Sequence, residues 1–209
     1  MSRRNPGGGP GAPHRNRFRI IGGHHRGRRL AFPDLPALRP SPDRVRETLF
    51  NWLGPRLPGA RCLDLYAGSG ALGLEALSRG AAHVTFIDEA PAAVRAIKEH
   101  LALLDLASRA RALEADAPGW LQRCVPQPYD IVFVDPPFAD NAWERLCTLL
   151  IHSGAVRNGA LIYVEYPVQV APSLPSAWVR WKRSRAGRVA FQLVRVQHEQ
   201  SVAATEGEA

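Results

Sequence analysis

Asp135, Pro136, Pro137 and Phe138 close an apolar run, Tyr129 to Val134, where a buried strand must give way to a loop. Two consecutive prolines hold φ near −65° and supply no backbone N–H, so this turn is stiff. It presents carbonyl oxygens, one carboxylate and one aromatic ring. The oxygens accept hydrogen bonds from an amine, and the ring stacks on a flat partner. A nucleobase with an exocyclic amino group offers both features, which makes Asp135, Pro136, Pro137 and Phe138 candidate catalytic residues. A proline-stopped strand with a buried Phe is the plain reading of the same four residues, so the rest of the chain must decide.

Upstream, Arg61 to Gly73 reads as a strand, a glycine turn and a helix start. Gly68 and Gly70 permit tight backbone geometry and close approach of a ligand, and Gly73 lets the following helix, Ala71 to Arg79, pack on the sheet. The next strand, His83 to Ile87, ends in Asp88 and Glu89, where a carboxylate suits the two hydroxyls of a ribose. Gly68, Gly70 and Gly73 also fit the dinucleotide fingerprint of a hydride-transfer enzyme. Asp64 argues against that: a carboxylate four residues before Gly68 repels a pyrophosphate and suits an ammonium or sulfonium. S-adenosylmethionine carries both cations. Asp64, Tyr66, Ala67, Gly68, Ser69, Gly70, Asp88 and Glu89 are therefore candidate cofactor-binding residues, Tyr66 shaping the cofactor side. The competing reading of Asp64 is a side chain satisfied by turn amides.

A third strand, Arg109 to Leu113, leads to Glu114, Ala115 and Asp116. In an open parallel sheet ligands bind beyond the carboxyl ends of the strands at the switch point. Asp64, Asp88, Asp116 and Asp135 are thus expected to converge there, with Ala115 and Asp116 beside an adenine and Asp135 touching both cofactor and substrate. Acidic residues at such turns also serve simply as helix N-caps.

The chain has 209 residues, 45% of them apolar, with no apolar run near the 18 or so needed to cross a bilayer. Cys62, Cys124 and Cys147 lie far apart without a CxxC pair, so neither a disulfide framework nor a metal site is indicated. The amino terminus has arginines but no apolar signal segment, and a cytoplasmic, membrane-free protein is expected. Charge is segregated. Residues 1–58 hold 12 Arg against Asp34, Asp43 and Glu47, whereas residues 59–209 hold 15 basic and 16 acidic residues. A positive segment ahead of a near-neutral domain is the footprint of a polyanion binder.

That segment divides further. Residues 1–16 read as a basic disordered tail. Residues 17–58 read as an RNA-binding hairpin and helix: Phe18 to Gly23 and Arg28 to Phe32 alternate about a glycine bend. Ser41 is expected to N-cap a helix running to Leu53, with Pro42 in its first turn. Val45, Leu49, Trp52 and Leu53 form its apolar stripe, with Arg44 and Glu47 turned away. Arg19, Arg26, Arg28, Arg29, Arg39 and Arg46 are the candidate RNA contacts. Beyond the proline turn come a helix (143–151), a strand (159–165) and two β runs (178–183 and 188–196) joined by residues 184–187 as an antiparallel hairpin, its basic residues a possible second patch. Residues 59–196 thus form an α/β domain with a seven-stranded, mostly parallel sheet, and residues 197–209 fray.

The stretches RIIGGHHRGRRLAFP, LRPSPDRVRETLFNWL, LDLYAGSGALGLEALSRGA, VTFIDE and DIVFVDPPF together resemble the bacterial small-subunit ribosomal RNA guanine-N2 methyltransferase family over residues 17–196. Family members usually carry Thr at the place of Ser41 and Glu at the place of Asp88; hydroxyl and carboxylate survive. The resemblance implies a Rossmann-like class I methyltransferase that uses S-adenosylmethionine to methylate the N2 amine of one guanine in 16S ribosomal RNA, on an assembling 30S subunit. A monomer is expected. Alternatives are an adenine-type amino methyltransferase, a nicotinamide-dependent oxidoreductase and a non-catalytic RNA-binding assembly factor.

Overall fold

The computed structural model describes residues 16–34, 41–123, 127–136, 142–170, 172–176 and 178–197. The tails, Cys124, Pro137, Phe138 and Arg39 lie outside the described residues.

Short runs of alternating or wholly apolar residues build the sheet. Strands β3 (Arg61–Asp64), β4 (His83–Asp88), β5 (Ala110–Glu114), β6 (Tyr129–Val134), β7 (Val156–Pro167), β8 (Val179–Ala186) and β9 (Val189–Arg195) pair in the order β5-β4-β3-β6-β7-β9-β8. The first five run parallel, and β9 is antiparallel to both neighbours. The expected seven-stranded, mostly parallel sheet is thus observed. The switch point falls between β3 and β6, which are laid down in opposite directions across the sheet.

Helices α1 (Asp43–Leu53), α2 (Ala71–Ser78) and α3 (Pro91–Leu103) cover one face, while α4 (Ala117–Arg123) and α5 (Ala142–His152) cover the other. Side chains on β3 and β4 alternate accordingly: Cys62 and Phe86 join the first core, Leu63 and Ile87 the second. Gly73 is required by close packing, since a Cβ there would stand 2.1 Å from the Phe86 ring.

The basic segment forms an antiparallel hairpin, β1 (Asn16–Arg19) with β2 (Arg29–Phe32), in which Phe18 faces Leu30 and Arg19 faces Arg29. Phe18, Ile20, Leu30 and Phe32 are buried in the same core as α1, α2 and α3. The hairpin is therefore not a separable appendage. Its bend docks on the end of α2. Ile21 N–H and Gly22 N–H donate to the Glu75 carboxylate at 2.8 Å each, and His24 N–H to the Ser78 carbonyl. Gly23, at φ +75°, lies so close that a Cβ would meet the Ser78 carbonyl oxygen at 1.9 Å.

Several expected boundaries move. Ser41 does not cap α1; Pro42 holds the N-cap position without a side-chain bond, because the Ser41 hydroxyl instead donates to Glu165. Strand β5 begins at Ala110, and β7 extends over Val156–Pro167. The last hairpin turns later than expected: β8 runs through Ala186, leaving only Gly187 and Arg188 between the strands, with Gly187 at φ +59°.

Candidate active site

Strand β3 ends in Asp64, and the chain turns through Tyr66, Ala67, Gly68 and Ser69 into α2. Gly68 (φ +51°) and Gly70 (φ +76°) take left-handed conformations that favour glycine. The turn is pinned by Ala67 N–H to the Ile87 carbonyl and Gly70 N–H to the Ala67 carbonyl. Tyr66 and Gly68 stay half-buried, while Ala67, Ser69 and Gly70 are buried. Asp64 is 2% exposed, and its carboxylate accepts Gly73 N–H at 3.0 Å. One amide of α2 thus satisfies part of it. Burial above all, then repulsion from Asp88, pushes its carboxyl up to about 7, against the pull of that amide bond.

The neighbouring strand ends complete the rim. Asp88 accepts Gly68 N–H at 2.7 Å and Ala90 N–H at 2.9 Å, one on each oxygen, so it braces the glycine turn and keeps a lone pair on each oxygen for further donors. Glu89 is exposed, and Ala115 is tied to β4 by its N–H to the Asp88 carbonyl. Asp116 is exposed and caps the first turn of α4 through Gly119 N–H at 2.7 Å, with Arg123 at 3.7 Å. Along the sheet the rim therefore runs Asp116, Asp88, the Tyr66–Gly70 turn, Asp135.

Asp135 follows Val134, which pairs with Val164 of β7. Glu165 stands at the matching position one strand over, so the two residues are neighbours at the usual strand spacing of about 4.8 Å. Alternation puts both on the α1 and α2 face, as it does Asp64. Asp135 is half-buried and Pro136 buried. Enclosure raises the Asp135 carboxyl well above the usual carboxylate range, and the charges of Glu165 and then Asp64 raise it further.

Glu165 was not among the sequence candidates. It is 5% exposed, and its Oε2 accepts the Tyr163 hydroxyl at 2.6 Å and the Ser41 hydroxyl at 3.1 Å. Burial raises its carboxyl while those two bonds pull it down. Tyr163 is held protonated by burial and by the two carboxylates. The clue in the sequence was a lone Glu inside the apolar strand Leu161 to Tyr166, which needs a partner to be buried. That partner, Ser41, is 124 residues away.

Arg46 is a correction. It was expected to reach RNA, but it is 0% exposed and donates to the carbonyls of Ser41 and Arg19 and to Asp43, with Glu75 at 3.7 Å. A guanidinium so enclosed ties the hairpin to α1 and α2. Arg19, Arg26, Arg28 and Arg29 are exposed on the hairpin's outer side, Arg19 within 3.4 Å of Asp43.

A sheet ordered in this way, with one antiparallel strand inserted second from its edge and a glycine turn plus carboxylates at the switch point, is the architecture of class I methyltransferases. An oxidoreductase Rossmann sheet is built from parallel βαβ halves and lacks that insertion. The family described as conserved hypothetical protein 95 matches residues 18–195. The chain is 48% identical over 177 residues to ribosomal RNA small subunit methyltransferase D of Escherichia coli, covering 84% of this chain and 88% of the relative. It belongs to that methyltransferase family. The solved structure of Escherichia coli yhhF superposes with a TM-score of 0.81 at 45% identity, over 87% of this chain and 99% of that one. The fold is shared more distantly, at 20% identity and a TM-score of 0.62, by the 16S rRNA N2 G1207 methyltransferase of T. thermophilus, solved with AdoMet and guanosine; 88% of this chain and 50% of that chain are covered.

Proposed function

We propose that this protein transfers a methyl group from S-adenosylmethionine to the N2 amine of a guanine in 16S ribosomal RNA, acting as a cytoplasmic monomer on an assembling small subunit. The observation that carries the reading is the half-buried Asp135 beside Pro136 at the switch point, one strand from the Asp64 glycine turn. Among the described residues no helix is long and apolar enough to cross a membrane, and the family relatives are named for ribosomal RNA methylation.

The residues on the rim fit the cofactor. Among the described residues Gly73 N–H is the sole donor to the enclosed Asp64 carboxylate, so an ammonium there offsets an unfavourable charge. Asp88 has capacity left for ribose hydroxyls, and Ala115 and Asp116 border the adenine end. S-adenosylmethionine supplies a methyl group on a positively charged sulfur.

The chain's own work is to present the amine. A guanine N2 lone pair is delocalised into the ring and is a poor nucleophile. The Asp135 carboxylate and the Pro136 carbonyl accept its two hydrogens, which fixes the orientation of the nitrogen and stabilises the charge that develops on it. The proton becomes strongly acidic only late, and Asp135, with its raised basicity, or water takes it. Stacking on Phe138 and the contribution of Pro137 belong to the same proposal. The base must leave its stack to reach the rim.

Asp135→Ala is expected to reduce transfer by about 10²–10³-fold or more while cofactor affinity stays within several fold. Tritium incorporation into undermethylated small subunits, with mapping of the modified nucleotide, and calorimetry with the cofactor read the two arms. Lost cofactor binding, or a modified adenine, overturns the assignment.

A further inference from the structure

The far edge of the sheet carries a charge pattern that the rim does not use. From Val168 to Gln197 the chain has no Asp or Glu, yet Arg180, Lys182, Arg183, Arg185 and Arg188 fall on β8 and its turn. All five are exposed, and among the described residues none makes an ion pair or a hydrogen bond through its side chain. Arg56, just past α1, adds a sixth cation, 5.0 Å from the ring centre of Trp181, which is 40% exposed and is flanked on the strand by Lys182. A register shift between Arg180 and Lys182 bulges the strand at Trp181.

Charge and a bulge on an edge strand also block strand addition by another chain. One or two cations suffice for that. Five in nine residues without one carboxylate repel each other at a cost that a polyanion removes. Their placement also matters. Ala186 pairs with Val189, and Val189 with Pro167, so the β8–β9 turn lies at the same end of the sheet as Asp135 and Glu165. The β1–β2 hairpin packs on α3, which covers β4 and β5 at the opposite side. The hairpin's bend, which carries Arg26 and Arg28, docks on Ser78 at the C-terminal end of α2, the end of the sheet where the strands begin, so the two basic surfaces are separated along the sheet as well as across it by several strand spacings of about 4.8 Å.

We infer that the β8 edge, with Arg56 and Trp181, is a second RNA-binding surface that takes the phosphate backbone of the substrate RNA on the side of the active site away from the basic hairpin. This rests on the proposed rRNA methyltransferase activity. It makes the substrate a stretch of RNA that reaches past the rim onto the β8 edge, not a short loop gripped by the hairpin alone.

The test is R180A/R183A/R185A in the full-length protein, with two 16S rRNA transcripts: a minimal stem-loop around the methylated guanine and a fragment extended by at least 30 Å of flanking helix. With the long transcript the variant's Kd is expected to rise about tenfold or more, and the slope of log Kd against log salt to fall by about 2–3, one released counterion per lost phosphate contact. Affinity for the minimal stem-loop, cofactor affinity and kcat at saturating RNA stay unchanged. Equal Kd and equal salt slope on the long transcript overturn the inference, as does increased self-association with unchanged RNA binding, which assigns the charges to edge protection. If the triple variant melts early, the single reversals Arg183→Glu and Arg185→Glu read the same slope. Where the wild type methylates only undermethylated small subunits, the same Kd and salt slope are read on those particles; a wild type that methylates neither transcripts nor particles refutes the parent activity and this inference with it, and wild-type methylation with insensitive β8 variants refutes this inference alone.

Discussion

Asp135 and Glu165 are two carboxylates on adjacent strand ends; burial first, and then the charge of Glu165, make Asp135 harder to ionise. The ionised form of Asp135 is the one that accepts amine hydrogens, so activity rises as pH passes through its raised value. Glu165→Gln keeps an oxygen for Tyr163 and Ser41 but removes the charge. The acidic limb of the kcat/KM profile is then expected to move to lower pH, with the melting temperature little changed; an unmoved limb would show that Glu165 is structural only. Asp64 gives a second test with the opposite readout. Its folded carboxyl lies at about 7, above its unfolded value. The folded state binds the extra proton, so stability falls as pH rises from about 4 to about 7, by at most about 4 kcal/mol. Asp64→Asn is expected to melt above wild type at pH 8 and with it at pH 4, and to bind S-adenosylmethionine more weakly. Thermal melts at both pH values and calorimetry check it.

At the scale of elements, the hairpin is held by one buried acid. Glu75 is 0% exposed and serves Ile21, Gly22, Arg79 and Arg46. Glu75→Ala leaves the enclosed Arg46 short of a counter-charge and should cost about 3–5 kcal/mol in urea unfolding. The β1–β2 hairpin was legible as alternation around a glycine bend, and so were the glycine turn and the proline-stopped strand. What alternation does not reveal is the surface on which a hairpin lands. Residues 17–58 read as a charged RNA-binding unit, but Phe18, Ile20, Leu30 and Phe32 fill the main core. Deleting residues 1–40 would therefore unfold the protein along with any RNA site, and is no test of RNA binding.

Over the whole molecule, the surplus charge of +8 is not spread evenly. Exposed arginines stand on the outer hairpin and along β8, both away from the carboxylates of the rim. On the proposed function these arginines draw the RNA phosphates, and the carboxylates keep phosphate off the cofactor crevice. Replacing Arg26, Arg28 and Arg29 by Ala is expected to weaken RNA binding and lower the salt slope by about 2–3, with cofactor affinity and melting temperature retained. Filter binding across a salt series measures it. These three side chains make no ion pair among the described residues, so their loss should not disturb the fold.

By itself the sequence determined which strands exist and what ends them, because apolar alternation, glycine turns and proline stops are local and act within a few residues. Asp64, Asp88, Asp116 and Asp135 could be assigned to strand ends for that reason, and parallel strands bring such ends to one rim. Only the tertiary structure decided what shares a buried volume. Arg46 reads as a surface cation on a helix, yet it is sealed by the hairpin and Glu75. Ser41 reads as a cap, yet it reaches across to Glu165. Both outcomes depend on contacts between residues tens to more than a hundred positions apart, where the cost of burying a charge is set by whichever partner the packed fold supplies.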